Sequence, residues 1–105
     1  MKMEGYRIVF STIRGRKHEN EYIKDWLIKK VKELQISGVT VLNAELGYGR
    51  DNKIHSSHFF ELTDEPEEII MHVTQKQCDK LFEEISNSKL LIFYSKTKAE
   101  FGFVS

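Results

Sequence analysis

The sequence has little cysteine and little proline. Cys78 is the only cysteine among the 105 residues, so the chain cannot form an intramolecular disulfide. This excludes a disulfide-stapled secreted domain and favours a reducing, cytoplasmic compartment. Pro66 is the only proline. We therefore expect no low-complexity segment and no linker, and we interpret residues 1–105 as a single domain.

The sequence also lacks a charge excess and a long apolar run. Sixteen Lys and Arg residues balance 16 Asp and Glu residues, so the net charge is zero. This argues against nucleic-acid binding, which needs a basic field, although a local basic patch can still capture a phosphate. No apolar stretch has the length of a membrane span or of a signal peptide. We expect a cytoplasmic protein without membrane insertion.

Four main strands are expected from runs of β-branched and aromatic residues. They cover residues 6–12, 39–46, 69–73 and 90–94. A further short strand is expected at 58–62. Thr63 to Pro66 is interpreted as a turn, because proline cannot donate a hydrogen bond to a strand ladder. The last ten residues, from Lys96, are interpreted as a tail.

Two helices are expected from apolar residues at helical spacing. The first covers residues 21–36, with Ser37-Gly38 as its stop signal. The second begins at Thr74 and ends at Asn87-Ser88. The segment Thr74-Gln75-Lys76-Gln77 fits a capping box, and Cys78 lies on the expected buried stripe.

The order of these elements is β-α-β-β-α-β. It predicts an α+β, ferredoxin-like fold, with a four-stranded antiparallel sheet and both helices on one face. The other face would then be open. Several strands are apolar on both sides, as where Val9 opposes Ile8 and Phe10. An apolar open face needs a partner, and a homo-oligomer is the simplest one.

A glycine-containing run near the middle of the chain is the best candidate for a binding site. It reads Leu46-Gly47-Tyr48-Gly49-Arg50 and continues with polar residues to Ser57. Backbone N–H groups near the two glycines, with Arg50, Lys53 and His55, could hold a phosphate or another anion. The alternative is a hairpin that needs glycine only for its geometry. The run is neither a Walker loop nor a dinucleotide-binding fingerprint.

No residue constellation indicates catalysis, a metal or a cofactor. His55 and His58 are three apart, but a metal site needs more ligands. His72 is expected inside a strand. We interpret the basic segment from Arg14 to His18 as a solvated loop, and the acidic residues around Pro66 as a solvated turn. A nucleophile with a base, or a close carboxylate pair, does not stand out.

The chain resembles the family called domain of unknown function 190, a member of the PII-like signalling proteins. Gly47-Tyr48-Gly49 followed by Ile54-His55-Ser56 is the most specific part of the resemblance. Lys17-His18, the run from Ser37 to Leu42, Leu62-Thr63-Asp64 and Pro66 also fit. The resemblance covers roughly Tyr6 to Tyr94.

The resemblance implies a trimer of ferredoxin-like subunits, with the sheets packed around a central axis. It identifies residues 47 to about 66 with the T-loop region, at the mouth of an intersubunit cleft that holds small effectors. Gly47, Tyr48, Gly49 and Arg50 match the run that opens that loop. We therefore expect a non-enzymatic protein that binds a small anionic ligand, such as a nucleotide, and signals to a partner protein.

Two other functions stay open at this point. One is a metal-binding trimer resembling the CutA copper-tolerance family, with His55, His58 and a neighbour's His18 as ligands. The other is a protein-interaction module whose loop binds no small ligand.

Overall fold

The computed structural model describes residues 2–44, 46–48, 54–56 and 65–105, with backbone alone at 46–48 and 54–56. It contains two helices and eight strands within these ranges. In chain order the elements are β1 (Lys2–Ile13), β2 (Lys17–His18), β3 (Glu21–Tyr22), α1 (Ile23–Glu33), β4 (Val39–Asn43), β5 (Leu46–Tyr48), β6 (Ile54–Ser56), β7 (Pro66–Thr74), α2 (Gln75–Asn87) and β8 (Phe93–Gly102).

Strands β1, β4, β7 and β8 form one four-stranded sheet in the order β4-β7-β1-β8. Every neighbouring pair in this sheet is antiparallel. Two short antiparallel ribbons, β2-β3 and β5-β6, lie outside it. The order of the four main strands, with a helix after the first and after the third, is that of a ferredoxin-like α+β fold. The fold class expected from the sequence is confirmed.

Both helices cover the same face of the sheet. In β1 and β7 the side chains that point to this face are fully buried at Ile8, Phe10, Ile69, Met71 and Val73. The helices meet them with a second set of buried apolar side chains: Ile23, Trp26, Leu27, Val31, Cys78, Leu81 and Ile85. Alternation at period two in the strands and at period 3.6 in the helices aligns these two sets, so one core forms between the layers.

Neither of the two described helices lies over the other face of the sheet. The strand register places Arg7 opposite His72 and Val9 opposite Ile70 on this face. Val9 is buried yet lies outside the core cluster between sheet and helices. Towards one end of the same face, Leu42 and Phe93 are 49% and 72% exposed. The face is therefore a mixture of apolar and charged side chains.

The start of α2 is set by the residues predicted to cap it. The Gln77 backbone N–H donates to the Thr74 hydroxyl at 3.2 Å, and the Gln77 side-chain oxygen accepts from the Thr74 backbone N–H at 2.9 Å. This reciprocal capping box satisfies two donors that the first helical turn leaves without intrahelical acceptors. The predicted capping box is confirmed.

Helix α2 ends at Asn87 with Ser88 as its cap, as predicted, whereas α1 ends earlier than predicted. Helix α1 stops at Glu33, before the expected Ser37-Gly38 signal, and Gln35 takes a left-handed backbone conformation with φ of 56°. Lys89 does the same after α2, with φ of 60°. In each case the N–H two residues beyond the cap donates to a carbonyl of the last turn, Ile36 to Val31 and Leu90 to Ile85. These are Schellman endings built without glycine.

The position of the last strand was predicted wrongly. The apolar run Leu90–Phe93 suggested a strand at 90–94 followed by a tail, but β8 begins at Phe93 and continues to Gly102. Its polar residues are ordered by pairing along nearly all of β1, from Ser11 with Phe93 to Lys2 with Gly102. Leu90 belongs to the ending of α2 instead. The expected short strand at 58–62 lies outside the described residues.

Candidate functional site

The glycine run forms half of a two-stranded ribbon. In this ribbon β5 pairs with β6 in antiparallel register, with Gly47 opposite His55 and Tyr48 opposite Ile54. Two residues of the predicted site that are eight apart in sequence are thereby brought together in the backbone. Gly49, Arg50 and Lys53 lie outside the described residues, between the two strands.

Two backbone hydrogen bonds fix the point where the ribbon leaves the sheet. The Ala44 N–H, just after β4, donates to the Pro66 carbonyl at 2.8 Å. The Arg14 N–H, just after β1, donates to the Glu65 carbonyl at 2.8 Å. Pro66 is the first residue of a central strand, one of the few places in a sheet that proline tolerates. We call this end of the sheet, residues 12–14, 43–44 and 65–67, the ribbon root.

The acidic residues beside Pro66 are not a solvated turn, and this prediction was wrong. Glu65 and Glu67 are only 8% and 3% exposed, whereas Glu68 points to the open face and is exposed. Period-two alternation explains the difference: Glu67 shares the side of Ile69 and Met71, towards the helices. The acidic residue types carry no sign of this burial, because only the strand register determines which side is inside.

Burial changes the chemistry of the ribbon root. Loss of hydration raises the pKa of the Glu67 carboxyl above its usual range, Lys24 and Arg14 oppose this, and Glu65 and Asp25 add to it. Buried Thr12 lies directly opposite Glu67 in the register. Among the described residues, the Thr12 Oγ1 and Glu65 Oε1 atoms are buried without a hydrogen-bond partner. Each such atom costs about 1–3 kcal/mol if it stays unsatisfied.

The basic segment before α1 is partly ordered by packing. Strand β2 pairs with β3, and the Lys17 ammonium lies 5.0 Å from the centre of the Tyr22 ring. His18 packs edge-on against Trp26, with ring centres 5.7 Å apart, and its Nε2 lies 3.2 Å from the Ser88 hydroxyl. The His18 side chain therefore links the β2–β3 ribbon to Ser88 at the end of α2.

The described residues contain no cluster of three or more His, Cys, Asp or Glu side chains that could hold a metal ion. His55 is described only as backbone and His58 lies outside the described ranges. The CutA-like hypothesis depends on these two residues. His18 already contacts Ser88 and, at 3.6 Å, Glu19.

Two open clefts line the sheet edges. One, of about 490 Å³, lies beside β1 and β8 and includes Tyr6, Gln75 and Lys98. The other, of about 340 Å³, lies on the open face and includes His72, Phe101 and Val39. Within the described part of the chain, no helix is long and apolar enough to span a membrane.

Comparison with known proteins gives one family. The sequence model of DUF190 (Uncharacterized ACR, COG1993) matches residues 9–94, most of the chain. No curated protein matches the sequence significantly.

Solved structures share the fold at low sequence identity. A Thermus thermophilus protein assigned to the PII-like signalling proteins superposes with a TM-score of 0.70 at 9% identity, over 95% of this chain and 91% of that one. CPII of Thiomonas intermedia, a nitrogen regulatory PII-like protein bound to ADP, AMP and bicarbonate, gives 0.68 at 11% identity over all of both chains. Its apo form gives 0.57 at 12% identity, over 97% and 98%. These likenesses establish the PII-like fold.

Proposed function

This chain belongs to the DUF190 family, and we propose that it is a PII-like signalling protein without catalytic activity. In this proposal it assembles as a trimer and binds a small anionic ligand in a cleft between subunits, a nucleotide being the first ligand to test. The excursion from 47 to about 66 acts as its T-loop and presents the bound state to a partner protein. No catalytic or cofactor chemistry is part of the proposal.

The likeness to CPII carries the proposal. That protein superposes over its whole length with this chain, and its structure holds ADP, AMP and bicarbonate. All three molecules are anions, so they share a need for positive charge and for hydrogen-bond donors. The basic residues of the glycine run offer this chemistry. An identity of 11% shows a shared fold and not a shared ligand, so titration must identify the ligand of this chain.

The proposed ligand site consists of Gly47, Tyr48, Gly49, Arg50, Lys53 and His55. The antiparallel register of β5 with β6 supports it, because Gly47 and His55 lie opposite each other at its base. Arg50 and Lys53 lie in the five-residue connection between the two strands. The glycines would offer backbone N–H donors and the basic side chains would neutralise the anion.

The open sheet face supports the trimer. Val9 and Ile70 form an apolar pair at its centre, and Leu42 and Phe93 are exposed at one end. Large exposed apolar side chains that share one face are typical of an interface between copies of a chain. Light scattering on the purified protein should give three times the chain mass of 12.4 kDa. A monomer would contradict the assembly and, with it, the intersubunit cleft.

Calorimetric titration with ADP, AMP and ATP tests the ligand. We expect saturable binding by at least one nucleotide. We also expect Arg50→Ala to weaken it by about tenfold or more, because a charge-assisted hydrogen bond contributes about 1.5–3 kcal/mol. Lys32→Ala, at an exposed position of α1, is the matched control and should bind as the natural chain does. Equal binding by the two variants would remove Arg50 from the site.

If no small anion binds, two further experiments distinguish the CutA-like metal function from the protein-interaction module. If no nucleotide or bicarbonate gives heat or thermal stabilisation, the anion proposal is wrong. Metal retained on the natural chain and lost in the His55→Ala, His58→Ala double variant would then favour the CutA-like function. A partner protein captured without any ligand, and lost on deletion of residues 50–57, would favour the interaction module.

A further inference from the structure

The ribbon root contains a cluster of buried polar side chains that the proposed ligand site does not use. Thr12, Glu65 and Glu67 are 7%, 8% and 3% exposed. Hydrogen-bond partners are missing, in the part of the chain that the structure describes, for the Thr12 Oγ1 and Glu65 Oε1 atoms. Buried polar atoms in folded proteins nearly always have a partner, so these two require an explanation.

The strand register places Thr12 and Glu67 next to each other, and Glu65 lies one pairing step beyond the end of β7. Thr12 on β1 pairs directly with Glu67 on β7, and residues opposite each other in an antiparallel pair have their side chains on the same face. Asn43 of β4 pairs with Glu67 from the other side. Glu65 precedes Glu67 by two positions, and its carbonyl accepts from the Arg14 N–H, which continues the β1–β7 pairing by one step.

The charges around Glu67 do not balance if every acid is ionised. Lys24 and Asp25 in the first turn of α1, Arg14 after β1 and Glu65 before β7 act on the Glu67 carboxyl. With Glu67 included, these groups comprise three carboxylates and two cations. Arg14 and Asp25 are exposed, whereas Glu65 and Glu67 are buried, and two neighbouring buried carboxylates are costly unless one of them keeps a proton. Loss of hydration acts in the same direction on Glu67.

We infer that Glu67 binds a proton more tightly in the folded chain than in the unfolded chain and forms, with Glu65 and Thr12, a buried proton-binding site at the ribbon root. A protonated carboxyl supplies one O–H donor; the Glu65 carboxylate oxygen can accept it, and the Thr12 hydroxyl can both donate and accept. The proton removes one of the two buried negative charges. The site lies outside the proposed ligand site and does not depend on the proposed function.

The direction of the pH effect follows from linkage. In the unfolded chain Glu67 titrates with an ordinary pKa of about 4.3, whereas burial raises the pKa of this carboxyl in the folded chain. The folded state therefore binds the proton more tightly. The stability contributed by the proton is complete below the unfolded pKa and is lost as the pH rises through the folded pKa. Ionisation should weaken the anchoring of β7 to β1 and β4 at this end.

Carbon-13 NMR of the glutamate carboxyl groups tests the site directly in the full chain. We expect the Glu67 carboxyl to titrate at a higher pH in the folded chain than in the same chain unfolded by urea. Glu65→Gln should move the Glu67 titration to lower pH, because it removes a neighbouring negative charge. Titration of Glu67 at the same pH in the folded and in the unfolded chain would overturn the inference.

Amide hydrogen exchange measures the consequence. The Arg14 and Ala44 amides donate across the ribbon root, to Glu65 and Pro66. Their protection factors, corrected for intrinsic exchange, should fall as Glu67 ionises, because a buried, ionised carboxylate destabilises the paired ribbon root. Glu67→Gln, which imitates the neutral carboxyl, should abolish this dependence, and Glu68→Gln should leave it unchanged.

Unchanged protection in the natural chain through the Glu67 titration would contradict the coupling. If Glu67→Gln fails to fold, the carboxyl titration of the natural chain still decides the inference. A bound cation could supply the missing charge instead of a proton. Stabilisation by added Mg²⁺ or Ca²⁺, present in the natural chain and absent in Glu67→Gln, would therefore replace the proton with a metal ion and overturn the inference.

Discussion

Glycine at either helix ending should stabilise this fold. Gln35 and Lys89 follow α1 and α2 with φ of 56° and 60°, in the left-handed region that side chains with a Cβ disfavour. Both residues are exposed. The Gln35 carbonyl accepts from the Gln77 side chain at 3.2 Å, a backbone contact that glycine would keep. Substitution by glycine therefore removes strain and little else.

The expected gain is the difference between two terms. A residue with a Cβ costs about 1–2 kcal/mol in the left-handed region. Replacement by glycine relieves this strain but lowers the gain by about 0.5–1 kcal/mol, because glycine loses more conformational freedom on folding than the residue it replaces. The free energy of unfolding should therefore rise by about 0.5–1 kcal/mol for Gln35→Gly and for Lys89→Gly.

The two gains should add. Gln35 contacts the first turn of α2 and Lys89 follows its end, and a helix of 13 residues is about 20 Å long. Sites this far apart act independently, so the double variant should gain about 1–2 kcal/mol. Urea denaturation followed by circular dichroism measures the free energy. All variants are compared at one protein concentration, because assembly would make stability depend on concentration.

Lys32→Gly is the control. Lys32 is also exposed and lies in the last turn of α1, but it is helical, so glycine there should cost about 1 kcal/mol. Opposite signs at positions 32 and 35 are the signature of backbone strain. If Gln35→Gly destabilises the fold as much as Lys32→Gly does, the strain argument is refuted.

Two further predictions use single residues of the core layers. A Cβ at Gly5 would overlap the Val73 carbonyl, so Gly5→Ala should lower the free energy of unfolding, measured by urea denaturation, by about 1–3 kcal/mol. A Cβ at Gly38 would meet no atom within contact distance, so the control Gly38→Ala should lower it by less than about 0.5 kcal/mol. Equal losses would show that the β1–β7 contact adapts. Burial raises the pKa of the Cys78 thiol. At mildly alkaline pH, Cys78 should therefore react with a thiol reagent far more slowly in the folded protein than in the protein unfolded by denaturant. Equal rates would contradict its burial.

Local signals could be predicted from sequence because a few neighbouring residues specify them. Thr74 and Gln77 satisfy each other's backbone donors within one turn, so the start of α2 was predictable. The buried stripe with Cys78 and Leu81 follows from helical periodicity in the same way. The ferredoxin-like order also followed, since it depends on the sequence of elements rather than on their limits.

The last strand was predicted wrongly because its position depends on pairing with a distant part of the chain. Strand β8 consists largely of polar residues and is held by its register with β1, about ninety positions away in the chain. Lys96 in this strand lies 4.5 Å from the centre of the Tyr6 ring and covers the aromatic edge of the core. Of the residues expected to form the strand, Leu90 instead completes the ending of α2, whereas Phe93 and Tyr94 are the first two residues of β8. A strand propensity measures fit to a half-buried surface, and the sequence alone does not show which surface is present.

The candidate site divides in the same way. The sequence by itself determined the glycine run and its basic residues, the capping signal and the order of helices and strands, because each depends on residues close together in the chain. Only the tertiary structure decided that Gly47 lies opposite His55 and that Glu65 and Glu67 are buried while Glu68 is exposed. The physical reason is strand register: a shift of one residue exchanges the buried and exposed sides, and partners distant in the chain fix it.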